Sequence, residues 1–151
     1  MPNYRGHLMG GVVAFGLVAY CLSVTPTVAT LIEWLIFTLA GALFPDVDIK
    51  SKGQLFLYRF LLLVFLMLIL QNRLQQLAFL SVAALVPMLV KHRGLFHRVW
   101  FILLFPAVLA VSIAGYCPHY AHIIYYDALF FIAGALSHLV LDLGLRRMFR
   151  L

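Results

Sequence analysis

Charge is what this sequence has least of. Only 11% of its 151 residues are Asp, Glu, Lys or Arg, and 65% are hydrophobic. Soluble domains run at roughly 25% charged and 45–50% apolar. The shortage excludes a water-soluble globular fold, because stretches such as Leu61 to Leu70 and Val99 to Gly115 leave nothing to form a wetted surface. Polar linkers and low-complexity tracts are missing as well, so residues 1–151 read as a single integral membrane domain. Cysteine is scarce: Cys21 and Cys117 form no thiolate motif and read as unpaired small apolar residues rather than a disulfide. The net charge of +6 in such a chain reports on loops and topology. No nucleic-acid partner is expected from it.

What is present is a set of apolar segments, at approximately 8–24, 28–44, 55–70, 77–90, 99–115 and 123–145. The first follows Arg5 and precedes Thr27-Val28-Ala29 in the manner of a signal peptide; we read it as the first transmembrane helix. A spanning helix needs about 20 residues, so the third and fourth segments are short spans or a hairpin of partial depth with its tip at Gln71–Gln76. If all six cross, Arg5, Lys50, Lys52, Arg59, Lys91, Arg93, Arg98, Arg146, Arg147 and Arg150 fall on one side, and Arg73 alone on the other. The positive-inside rule then puts both termini in the cytoplasm. The expected fold is an all-α polytopic bundle of about six transmembrane helices.

Of the eleven other ionisable groups, Glu33, His119, His122 and Asp127 fall on the outer side and seven at the inner ends, where every inner end contributes at least one. His138 and Asp142 are four apart, which on a helix places both on one face. The simplest use of that spacing is a local His–Asp hydrogen bond. Asp46 and Asp48 follow Pro45; on an extended backbone both carboxylates would point one way. The alternative is a solvated aspartate turn with Lys50 and Lys52 as loose partners. His92 and His97 converge only if the chain turns at Gly94; otherwise they are interfacial histidines of a basic loop. His7 opens the first segment. Ala40-Gly41-Ala42-Leu43 and Ala133-Gly134-Ala135-Leu136 offer two small-residue faces. Packed together, they would bring Asp46 and Asp48 beside His138 and Asp142; chance repetition of common membrane residues is the alternative.

Gly6-His7, Phe44-Pro45-Asp46-Val47-Asp48, His92-Arg93-Gly94-Leu95-Phe96-His97 and Ser137-His138-Leu139-Val140-Leu141-Asp142 occur in the order seen in the YdjM-like family. The chain resembles these bacterial inner-membrane proteins, some of them LexA-regulated, which are described as metal-dependent hydrolases. The resemblance implies a metal site formed by His7, Asp46, Asp48, His92, His97, His138 and Asp142. It departs from the family at Ile49, where a histidine is frequent, and at Phe96, where threonine is common. A threonine-containing segment usually follows the last aspartate; here Leu143-Gly144-Leu145 leads into Arg146. What carries over is therefore the metal site more than the substrate contacts.

Seven ligands exceed what one first-row ion takes, so one or two divalent ions are expected. A histidine and carboxylate set without thiolate suits Zn, Mn or Fe. A pair of ions suits phosphate-ester hydrolysis, with Asp48, His97 and Asp142 as the catalytic candidates. Lys50, Lys91, Arg93 and Arg98, with Lys52, would draw an anionic head group. The expected activity is a metal-dependent hydrolase at the cytoplasmic leaflet, its partners the lipid bilayer and a phospholipid or other lipid phosphate. Two other readings stand beside it. One is a metal or proton transporter, which needs acidic or histidine groups continuing outward, with Glu33 and Asp127 as the available ones. The other is a non-enzymatic scaffold with a closed structural metal site.

Overall fold

The structure, a computed structural model, describes residues 3–48, 52–74, 77–78, 80–81, 84–85 and 95–144. Their regular structure is all helical, with no strand among the described residues. The α-helices are α1 (Tyr4–Cys21), α2 (Val28–Leu43), α3 (Lys52–Leu70), α4 (Val99–Tyr116) and α5 (Ala121–Leu143). Short 3-10 turns occupy Phe44–Asp48, Leu95–His97 and Pro118–Tyr120. Within the fourth apolar segment the described residues 77–78, 80–81 and 84–85 are helical. The Tyr58 hydroxyl of α3 donates to the Ala84 carbonyl across 2.9 Å.

Helix starts follow local chemistry. Asn3 caps α1 by accepting the Gly6 N–H at 3.2 Å, and Thr27 caps α2 by accepting the Thr30 N–H at 3.2 Å. Pro45 lacks the N–H that would continue α2. The Phe44 N–H instead closes a tighter turn onto Gly41 O, and the chain proceeds as a 3-10 turn. At the far end Gly144 takes φ 70 and ends α5.

The apolar side chains face both ways. Trp34, Ile102, Phe130 and Leu139 are buried between helices, whereas Leu17, Ile36, Leu63, Val108 and Val111 are exposed. Each such side chain would cost about 1.5–3 kcal/mol to leave in water, so the solvent of this outer surface is lipid. Among the described residues three helical stretches are long and apolar enough to cross a membrane: Val28–Val47, Val99–Tyr116 and Pro118–Leu143. Leu61–Leu70 is a shorter apolar helix.

α5 is the hub, packing on α1, α2 and α4. Its tightest joint is with α2, through the two small-residue faces. A Cβ on Gly41 would fall on the Phe131 carbonyl, and one on Gly134 on the Thr38 carbonyl. Main chain therefore meets main chain at this crossing, and Ala42 and Ala135 are fully buried beside it. The Thr38 hydroxyl does not interfere, because it donates back to Trp34 O at 2.7 Å within its own helix. α1 joins this pair at Gly11, where an added Cβ would stand 3.0 Å from the Ala42 Cβ.

Candidate metal centre

Five ionisable side chains from four chain segments converge where α1, α2, the Leu95–His97 turn and α5 meet. His7 comes from the first turns of α1, three residues before Gly10, where an added Cβ would meet the Leu141 and Ser137 side chains of α5, so this close approach brings it onto α5. Its ring stacks on that of His138, with centroids 3.8 Å apart and planes at 13°. Asp46 arrives on the 3-10 turn after α2, and His97 on the turn before α4. The His97 ring stands edge-on to His138 at 5.6 Å.

The nitrogens and carboxylate oxygens face one another. His7 Nε2 lies 3.5 Å from Asp142 Oδ1, and His138 Nε2 lies 3.5 Å from Asp46 Oδ1. His97 Nε2 lies 3.7 Å from Asp46 Oδ1 and 4.0 Å from Asp142 Oδ2. Two triads hold ligand atoms within 4.8 Å of one another: His7, His138 and Asp142, and Asp46, His97 and His138. His138 belongs to both. Donors held about 2.0–2.1 Å from one tetrahedral ion stand about 3.3 Å apart, so these separations are close to those of a loaded site.

One nitrogen of His138 is assigned by its partner. Its Nδ1 is 2.8 Å from Ala42 O, and a carbonyl only accepts, so Nδ1–H must donate. In the neutral ring Nε2 then carries a lone pair, buried and without a hydrogen-bond partner, that faces a carboxylate oxygen. Two acceptors oppose each other there unless a proton or a metal ion lies between them. That arrangement fits a metal ion on chemical grounds, with the backbone carbonyl fixing the ring as carbonyls do behind metal-bound histidines. The donor set is nitrogen and oxygen; both cysteines are exposed and unpaired.

Burial is uneven around the centre. The side chains of His7, His97, His138 and Asp142 are at most 5% exposed, whereas that of Asp46 is 23% exposed. The open edge is therefore at Asp46. Behind the site, Phe44 packs on Phe96, Phe105 and Phe131 at 5.4, 5.9 and 5.2 Å and closes it from the membrane interior.

Of the seven expected ligands, His7, Asp46, His97, His138 and Asp142 are brought together. The expectation of an extended backbone at Asp46 and Asp48 is corrected. Pro45 leads into a 3-10 turn, Phe44–Asp48, in place of an extended strand. The Asp48 side chain lies outside the described residues, as do His92, Lys50, Lys91, Arg93 and Gly94. Arg98 is exposed at the N-cap of α4, directly after His97. The local His138–Asp142 hydrogen bond gives way to longer connections: His138 turns to Ala42 and Asp46, and Asp142 to His7 and His97. The Ala42 carbonyl was not among the expected site groups, and a main-chain acceptor leaves no signal in a sequence.

No curated protein and no solved structure matches the chain. The profile of the YdjM inner membrane protein family matches residues 1–149. With that span, and with His7, Asp46, His97, His138 and Asp142 of the quoted motifs meeting between apolar helices, this chain belongs to the YdjM inner membrane protein family.

Proposed function

We propose that the protein is a membrane-embedded metal-dependent hydrolase acting on a lipid phosphate ester at the cytoplasmic leaflet. The observation that carries the reading is the His138 ring, locked by Ala42 O so that a buried Nε2 lone pair faces Asp46. With neutral imidazoles, His7, His97, His138, Asp46 and Asp142 carry two negative charges, the complement of one divalent ion. His138 offers a single free lone pair, so it serves one ion even though both triads include it. A second ion would need Asp48 and His92. Zn, Mn or Fe suits the donor set.

A divalent ion at this centre supplies Lewis acidity toward water and a phosphoryl oxygen. The side chains do the rest. His7 and His138, stacked and buried, hold the donor geometry rigid. Asp142 presents its second oxygen 4.0 Å from His97 Nε2; with His97 holding the ion in place, that oxygen would take and return a proton. Asp48 is the third catalytic candidate. The exposed edge at Asp46 admits an anionic head group, and Arg98 beside His97, with Lys50, Lys91 and Arg93, would attract it. That open edge favours a catalytic site over a closed structural one.

The topology that suits this reading is six crossings with both termini cytoplasmic, residues 1–151 forming one domain. Transport is less well supported. Between Asp127 and the metal centre, α2 and α5 pack through Phe130, Gly134, Ala135 and a Thr38 hydroxyl bonded to its own helix. No ionisable relay lies on this path among the described residues. Metal analysis of protein purified in detergent tests the proposal, together with phosphate release from phosphatidic acid vesicles. Stoichiometric metal and metal-dependent phosphate release are expected, both lost in His97→Ala and Asp142→Ala. Metal-free wild type, or variants that keep both properties, would sink it.

A further inference from the structure

Eleven residues before His138 on α5, about 16 Å along the helix, sits a buried carboxyl that the metal centre does not use. Asp127 is 8% exposed, and its Oδ1 is buried with no hydrogen-bond partner. It lines a crevice of about 250 Å³ between α2, α4 and α5. The rest of that lining is hydrocarbon, with Phe37, Phe105, Leu109, Ile113, Ile124 and Phe131 as the large walls. Phe37, Phe105, Leu109 and Ile113 are also partly open to the outer surface, so the crevice is reached from the lipid.

The charged group facing Asp127 from α2 is Glu33. On its own helix the nearest titratable neighbours are His122 and Tyr126, which line the adjoining cleft with Glu33. α4 adds no titratable group to the crevice, and neither cleft has a Lys or Arg in its walls. Two acids thus line neighbouring clefts, each feeling the other's charge, with no cation supplied by the walls. An ionisable side chain kept at membrane depth marks a binding or transfer site.

The chemistry narrows the occupant. A divalent metal would find too few donors, since Asp127 is part of neither His/Asp triad. A neutral lipid would fill the crevice and leave the acids uncompensated. A compact cationic head on an apolar tail satisfies both: an ammonium N–H donates to the Asp127 carboxylate, and the tail lies along the aromatic walls. We propose that this crevice is a second binding site, separate from the metal centre, for an amphipathic primary ammonium ion that enters from the bilayer.

Native mass spectrometry of the full chain in detergent, titrated with decylamine or with decanol, tests the proposal. Wild type is expected to retain one decylamine per chain at concentrations at least tenfold below those at which decanol is retained. Asp127→Asn removes the charge, and Ala128→Phe fills the crevice while sparing the carboxyl. Each is expected to weaken amine retention at least tenfold without changing metal content. Equal retention of amine and alcohol, wild-type retention in Asp127→Asn, or no retention by wild type would overturn the site. The last result would leave Asp127 carrying only a proton. None of these outcomes depends on the hydrolase reading.

Discussion

At the scale of single residues, His138 joins the two halves of the centre. It stacks on His7, faces Asp46 and is oriented by a carbonyl from another helix. Removing it takes one donor from both triads and leaves Ala42 O without its partner. Loss of a metal's outer-shell support alone costs 10–100-fold in affinity, so His138→Ala is expected to weaken metal binding by about 100-fold or more. A chelator competition on purified protein reads this directly; an affinity within a few-fold of wild type would remove His138 from the ligand set. The spacing of His138 and Asp142 made them legible as a pair on one face. What each reaches was not legible, because the partners are 96 residues away for His138 and on α1 and the turn before α4 for Asp142.

Among the elements, the α2–α5 crossing determines whether a centre exists at all. Asp46 lies five residues beyond Gly41, and His138 four beyond Gly134, so the joint that seats these glycines also sets the distance between the two side chains. Filling a well-packed joint costs typically 1–3 kcal/mol and sometimes more, and here the obstacle is main chain, which cannot rotate away. Gly41→Val and Gly134→Val are each expected to cost about 3 kcal/mol or more. That would lower the thermal midpoint by roughly 6–12 °C and release metal along with it. Gly16→Val is the control, since nothing lies within 4 Å of its added Cβ. A Gly41 variant as stable as the Gly16 variant would contradict the joint. The repeated Ala-Gly-Ala-Leu was readable as two matching faces; the geometry after Pro45 was misread, because a proline that ends an α-helix leaves both extended and 3-10 continuations open.

For the molecule as a whole, an apolar outer surface and the one-sided distribution of cations that six crossings would give make separate statements. The first calls for a bilayer. The second predicts orientation: fluorescent-protein fusions at either end of the chain should be fluorescent, and alkaline phosphatase fusions at the same ends inactive. Active phosphatase at one end would require an odd number of crossings. Membrane residence and an all-helical build were determined by the sequence alone, because hydrocarbon composition leaves the backbone little choice but to satisfy its own hydrogen bonds in helices. The candidate ligands were legible too, since His and Asp are costly at membrane depth wherever they have no task. Which of them meet, which nitrogen is free, and that Asp127 stands apart beside an apolar crevice were decided only by the tertiary structure. Such facts depend on close backbone crossings between distant segments, and residue identity constrains those crossings without specifying them.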